Sequence, residues 1–219
     1  MIDFSKIKEI TIPEGKVSKI EIDNNIVWTA ADRYIAELKC LKSDGTQYID
    51  TGVAGNNDNL RIELEFGVLA FKSYGGILGN YVSEEHNSWR IIFQNADNNG
   101  VYVNTNNLTK NGSSPNINKT STAVSLTKNK IIINGKTTTP SANKGTENEK
   151  SILIFKASHN TSNNTSIKVS YLKIYDGDEL IRDFIPVIAL LNGNTVACFY
   201  DKVDKKLYYN NGTGEFGYE

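Results

Sequence analysis

Apolar and polar side chains alternate strictly over Arg61-Ile-Glu-Leu-Glu-Phe-Gly-Val. Only an extended strand with one buried face satisfies a period of two. Ile62, Leu64 and Phe66 share one side of it, and Arg61, Glu63 and Glu65 share the other. Strand signals recur at 88–94, 100–104, 123–126, 130–133, 151–155, 167–175, 179–186, 195–200 and 206–209. Turn chemistry punctuates them: Asn134-Gly135, whose two residues both accept positive φ, and Asp176-Gly177-Asp178. Pro186 lacks the ladder donor and is expected to end its strand. Helical spacing is nearly absent. Residues 30–41 have room for a turn or two, without a cap. The polar stretches 104–120 and 137–150 read as loops. Many short strands joined by polar turns predict an all-β sandwich or barrel.

At 219 residues the chain is long enough for one such domain with a substantial core. Its 24 Lys and Arg nearly balance 25 Asp and Glu, for a net charge of −1. That balance gives no footprint for nucleic acid or an anionic membrane. No apolar run approaches a membrane span, so membrane insertion is not expected. The first ten residues contain no apolar signal core, and synthesis in the cytoplasm without a signal peptide is the expectation. Cys40 and Cys198 are far apart in sequence and read as two small buried side chains; a single bridge between them cannot be deduced.

Residues 1–29 look separate. Three short strands, at 7–12, 16–22 and 26–28, are divided by Pro13-Glu14-Gly15 and Asn24-Asn25. They bury too little to stand alone and are expected to dock on a partner or on the main body. The expected division is a docking module at 1–29 and a sandwich at 30–219.

Gly45-Thr46-Gln47-Tyr48-Ile49-Asp50-Thr51-Gly52 resembles the opening of a concanavalin-A-like, laminin-G-like jelly-roll family found in bacteria and phages of the Firmicutes. Further matching patches follow in the family's order. They are Ile152–Phe155, Leu172–Asp176, Leu180–Pro186, Phe199-Tyr200-Asp201 and Leu207–Phe216, while residues 56–150 match only as a strand pattern. Ile10–Gly15 through Ile26-Val27-Trp28 resembles a segment of phage tail and other virion proteins. The resemblance implies a two-sheet antiparallel jelly-roll sandwich with a small N-terminal β-hairpin module. It also implies a virion location, in many copies, with residues 1–29 contacting other virion proteins. The sandwich is then a lectin-like module for cell-surface glycan. Tyr200, Tyr208 and Phe216 read as apolar anchors.

A sugar site needs an aromatic platform beside amide or charged groups. Residues 80–90 supply that mixture, so Asn80, Tyr81, Trp89 and Arg90 are the expected ligand-binding residues, with Tyr102 as a further exposed ring. Tyr74 is an additional candidate ring. Trp89 also suits a core. No catalytic residues are expected: neither a nucleophile elbow nor a phosphate-cradling loop is present. Glu63 and Glu65 stand at a spacing some glucanases of this architecture use, but Gly67 falls where a third acid belongs, and a solvated face countered by Arg61 is the plainer reading. No metal or cofactor is expected. His86 and His159 are isolated, and the Asn56–Asn59 and Asp97–Asn99 clusters read as Asx turns more readily than Ca²⁺ loops.

Overall fold

The computed structural model describes residues 19–22, 25–29, 34–93, 101–105, 108–110, 117, 120–138, 141–142, 146, 148–161, 164–191 and 194–219. Two compact units divide the chain between Arg33 and Tyr34. In the first, β1 (Lys19–Ile22) and β2 (Asn25–Thr29) form an antiparallel hairpin that pairs Ile20 with Trp28. The strand expected at 7–12 lies outside the described residues.

The second unit is a two-sheet antiparallel sandwich of jelly-roll-like form, and no helix occurs among its described residues. Its strands begin with β3 (Tyr34–Glu37), β4 (Leu41–Ser43), β5 (Ile49–Ala54), β6 (Leu60–Ala70), β7 (Gly76–Tyr81) and β8 (Arg90–Phe93). Next come β9 (Val101–Thr105), β10 (Leu108–Lys110), β11 (Thr122–Thr127), β12 (Lys130–Ile133), β13 (Lys136–Thr138) and β14 (Ser141–Ala142). The chain finishes with β15 (Ser151–Ile154), β16 (Lys156–Ser158), β17 (Ser166–Asp176), β18 (Glu179–Leu191), β19 (Asn194–Asp201), β20 (Lys206–Tyr208) and β21 (Gly217–Tyr218). One sheet runs β14-β10-β9-β8-β7-β15-β5, with β16 against β7; the other runs β13-β12-β11-β6-β17-β18-β19-β20, with β3 beside β18, β4 beside β17 and β21 beside β4.

The alternation of β6 is realised as expected. Ile62, Leu64 and Phe66 are buried, while Arg61, Glu63 and Glu65 are half-buried on the outer face. Ile62 faces Leu126 and Ile174 across the ladders, and Leu64 faces Val124 and Leu172. The sequence of β17 breaks its own alternation at Ser170-Tyr171, and the structure absorbs the break as a bulge between Val169 and Tyr171. One extra residue there returns Leu172 and Ile174 to the core.

Three expectations are corrected. Residues 34–37 of the proposed helical stretch form strand β3, because β18 offers an unpaired edge there. The supposed loops contain β10, β13 and β14, whose polar residues are recruited by main-chain pairing with β9, β12 and β10. Pro186 does not end its strand, since β18 continues to Leu191. On one side β18 pairs with β17 up to Phe184 and with β3 from Val187 onward. The Pro186 carbonyl accepts from Leu38 N–H at 2.9 Å on that same side. A strand residue points both main-chain groups one way, so the missing donor falls in the gap between two neighbours.

The core is a continuous apolar cluster between the sheets, closed at one end by rings. Phe155 stacks on Phe199 at 6.1 Å and meets Phe216 at 4.9 Å, while Phe184 contacts Phe199 at 5.9 Å and Tyr208 edge-on at 4.9 Å. Phe155 is fully buried with a left-handed φ of 68°, a conformation that is costly for an aromatic residue. It turns the chain so that β15 runs antiparallel to β7 and β16 parallel to it. Asp201, fully buried, accepts the N–H groups of Asp183 and Val203 and faces Arg182 at 3.5 Å, so it closes the β19–β20 turn. A second small cluster of Val187, Ala189 and Cys198 is roofed by Tyr34 and Tyr200, whose rings lie 4.9 Å apart.

Both cysteines are free and buried, and burial pushes the Cys198 thiol up to about 12 from an ordinary 9.0. Below pH 9 both folded and unfolded states keep this proton; above it the unfolded state ionises first. Stability of the wild type is therefore expected to fall by on the order of 1 kcal/mol per pH unit above about pH 9 relative to Cys198→Ala, measured by urea unfolding across pH. Phe155→Ala is expected to lower unfolding free energy by about 3–5 kcal/mol in the same assay at neutral pH.

Candidate functional site

Three strands assemble a cleft on the smaller sheet. The β7 strand ends at Tyr81, β8 begins at Arg90, and β16 brings Ala157 and Ser158 alongside. Behind them lies a buried polar knot. The Asn80 Oδ1 accepts Trp89 N–H at 2.8 Å, and its Nδ2 donates to the Lys150 carbonyl at 3.2 Å. The Asn148 side chain donates to the Asn80 carbonyl at 2.6 Å, and the Trp89 indole N–H donates to the Gly55 carbonyl at 3.1 Å. A Cβ on Gly55 would lie 1.8 Å from Asn80 Nδ2, so only glycine allows this approach. The knot fixes the residues that immediately precede Tyr81 and Arg90.

In front of the knot is a pocket of about 210 Å³, walled by Tyr74, Tyr81, Arg90, Ala157, Ser158 and Thr161. The Arg90 guanidinium carbon sits 3.9 Å from the centre of the Tyr81 ring. Stacking of this kind holds the planar donor fork in place. Tyr81 Oη donates to Glu84 Oε1 at 2.9 Å. Burial raises the Tyr81 pKa above 10.0, and the Glu84 bond raises it further, so the hydroxyl remains a donor. Ser158 Oγ accepts the N–H groups of Asn160 and Thr161 and shapes the opposite lip. Tyr74 projects from a tight turn in which Gly75 N–H donates to the Lys72 carbonyl at 2.9 Å. It is 63% exposed with φ 56°.

The residues expected from sequence therefore separate. Tyr81 and Arg90 line the pocket, and Tyr74 joins them. Asn80 and Trp89 are fully buried and spend their polar atoms on the main chain, so neither offers a surface to a ligand. Tyr102 pairs with Ile92 in β9, but its side chain lies outside the described residues. Ser158 and Thr161 carried no sequence signal, because their place depends on the reversal at Phe155. An exposed ring, a fixed guanidinium and hydroxyl-bearing walls suit a sugar. The C–H faces of a sugar stack on rings, and its hydroxyls accept from fixed donors.

The other sequence candidates are engaged locally. Glu63 Oε1 lies 3.4 Å from Arg61 Nε, Glu65 accepts from Ser121 Oγ at 2.9 Å, and the Arg61 guanidinium stacks on Tyr175. Asn57 Oδ1 caps its own turn by accepting Asn59 N–H at 2.9 Å, and Asp58 pairs with Lys128. Asp97, Asn98 and Asn99 lie outside the described residues. His86 Nδ1 contacts Ser83 Oγ at 2.7 Å, and His159 Nε2 contacts the Ser151 carbonyl at 2.8 Å. Among the described residues no group of three or more His, Cys, Asp or Glu side chains is placed to hold a metal ion.

Asn80→Ala orphans the buried Trp89 N–H and empties the knot. The expected loss is about 2–3 kcal/mol of unfolding free energy in chemical denaturation. In comparisons with known proteins, no protein-family model matches this chain and no curated protein matches its sequence significantly.

Proposed function

We propose that the sandwich is a non-enzymatic, lectin-like module that binds cell-surface saccharide weakly in the Tyr74–Tyr81–Arg90 pocket. In this reading it is a phage virion protein, a tail or capsid accessory, present in many copies. Residues 1–29 mount it on other virion proteins, and many weak sites sum to useful avidity. The virion part rests on the sequence resemblance of residues 1–29 and 45–216.

The observation that carries the saccharide reading is Tyr74. A large ring is held 63% exposed at the lip of a pocket, on left-handed backbone that glycine would occupy at lower energy. It buries little, so packing does not explain it. Strain retained at the mouth of a pocket points to use of the side chain. Beside it the Arg90 guanidinium is already oriented by Tyr81.

The test is Tyr74→Gly. Its melting temperature is expected to equal or exceed the wild type's, because the strain is released. Binding of a multivalent display of the protein to purified bacterial cell-wall polysaccharide is expected to fall about tenfold or more, read by surface plasmon resonance. Undiminished binding by Tyr74→Gly removes the pocket from the reading. Absence of binding by the multivalent wild type leaves a decoration protein without a ligand.

A further inference from the structure

A larger cleft of about 590 Å³ has Lys72 in its wall, two residues before Tyr74. Its volume is within the usual range for small-molecule pockets, roughly 300–1,000 Å³. Its walls come from Asp44, Gly45 and Thr46, from Tyr48, and from Lys72 and Lys156, with Ser166 and Thr213 on the rim. Residues 45–48 and 212–213 belong to the stretches through which the sequence is recognisable, and the Tyr74 pocket makes no use of them.

Hydrogen bonds between its loops hold the cleft in shape. Thr213 N–H donates to the Thr46 carbonyl at 3.2 Å, and the single proton of Thr46 Oγ1 is shared between the Thr213 carbonyl at 3.0 Å and Asp44 Oδ1 at 2.7 Å. Asn164 Nδ2 donates to the Gly45 carbonyl at 3.1 Å, and Asn210 Oδ1 accepts Tyr48 N–H at 3.1 Å. A Cβ on Gly212 would stand 2.1 Å from the Thr46 carbonyl oxygen, so the two loops meet only because this residue is glycine. Such preorganisation lowers the ordering cost of binding.

The charge in the cleft is asymmetric. Lys72 and Lys156 have no carboxylate partner among the described residues. Asp44 is the one acid on the wall. Its Oδ1 accepts Thr46 N–H at 2.9 Å and Thr46 Oγ1 at 2.7 Å, and these bonds lower its pKa. Lys156 Nζ rests 4.5 Å from the centre of the Tyr48 ring, so one face of that ring is taken and does not serve a flat base. Two ammonium groups in one cleft suit an anion, and the hydroxyls and carboxylate beside them suit hydroxyl groups.

We infer that this cleft is a second binding site, for a saccharide that carries a carboxylate or phosphate held by Lys72 and Lys156. It is independent of the Tyr74 pocket. The lysines supply charge-assisted hydrogen bonds to the anionic group, and Thr46, Ser166 and the outer oxygen of Asp44 meet the sugar hydroxyls.

The experiment titrates the full chain with digalacturonate and with glucose 1-phosphate, followed by amide NMR shifts. Maltose and inorganic phosphate serve as controls. At least one anionic sugar is expected to shift Gly45, Thr46 and Thr213; which of the two does so identifies the anionic group. Lys72→Met/Lys156→Met is expected to weaken that binding about tenfold or more at unchanged melting temperature, since both side chains reach solvent. Tyr74→Gly is expected to leave it unchanged, which separates this site from the other pocket. The inference is overturned if neither anionic sugar shifts these amides. It is equally overturned if maltose binds as well as they do, if inorganic phosphate binds as tightly as the sugar phosphate, or if a folded double-lysine variant binds like the wild type.

Discussion

Phe155 is the residue on which both layers depend. Its ring reaches from the end of β15 into a cluster with Phe199 and Phe216, so it joins the smaller sheet to the larger one. Its backbone is left-handed, which is costly on its own and is held because the ring is wholly enclosed. The same φ sends β16 along β7 in the parallel sense, against the antiparallel grain of the sandwich. That excursion carries Lys156 to the large cleft and Ser158 to the small pocket. Packing energy, backbone strain and site geometry thus meet at a single position.

Around this hinge the molecule keeps polar order where it most needs fixed geometry. The knot of Asn80, Trp89, Gly55 and Asn148 is fully enclosed, and it holds the ends of β7 and β8 in register. Low local dielectric strengthens such bonds and makes each of them expensive to lose. Arg90 is itself buried against this rigid base with its guanidinium on Tyr81, which leaves Tyr74 as the exposed element of the pocket. Rigid wall and strained lip are the two features on which the proposed saccharide contact rests.

Much of the sandwich was legible in the residues. The alternation of 61–66, the apolar faces of 167–175 and the Asn134-Gly135 turn all correspond to observed strands and turns. The bulge between Val169 and Tyr171 goes beyond the reading of 167–175 as one plain strand. Less legible were strands made of polar residues. β10 and β14 exist because neighbours supply hydrogen bonds, and composition does not report a neighbour. Pro186 misled for a similar reason. A missing donor ends a strand only where a partner would have received it, and here none stands opposite. For the site, the local mixture at 80–90 named the right region but could not sort its members, since burial of Asn80 and Trp89 is set by residues more than thirty positions away.

Sequence alone determined that this chain is all-β, a sandwich or a barrel, because a period of two admits only one kind of element and its apolar face must be covered. It also set the net charge at −1. Tertiary structure decided which aromatic residues are core and which reach solvent. It also decided which lysines share a cleft and where the chain runs against its own sheet. Those outcomes depend on contacts between segments distant along the chain, and a local pattern contains no distance of that kind.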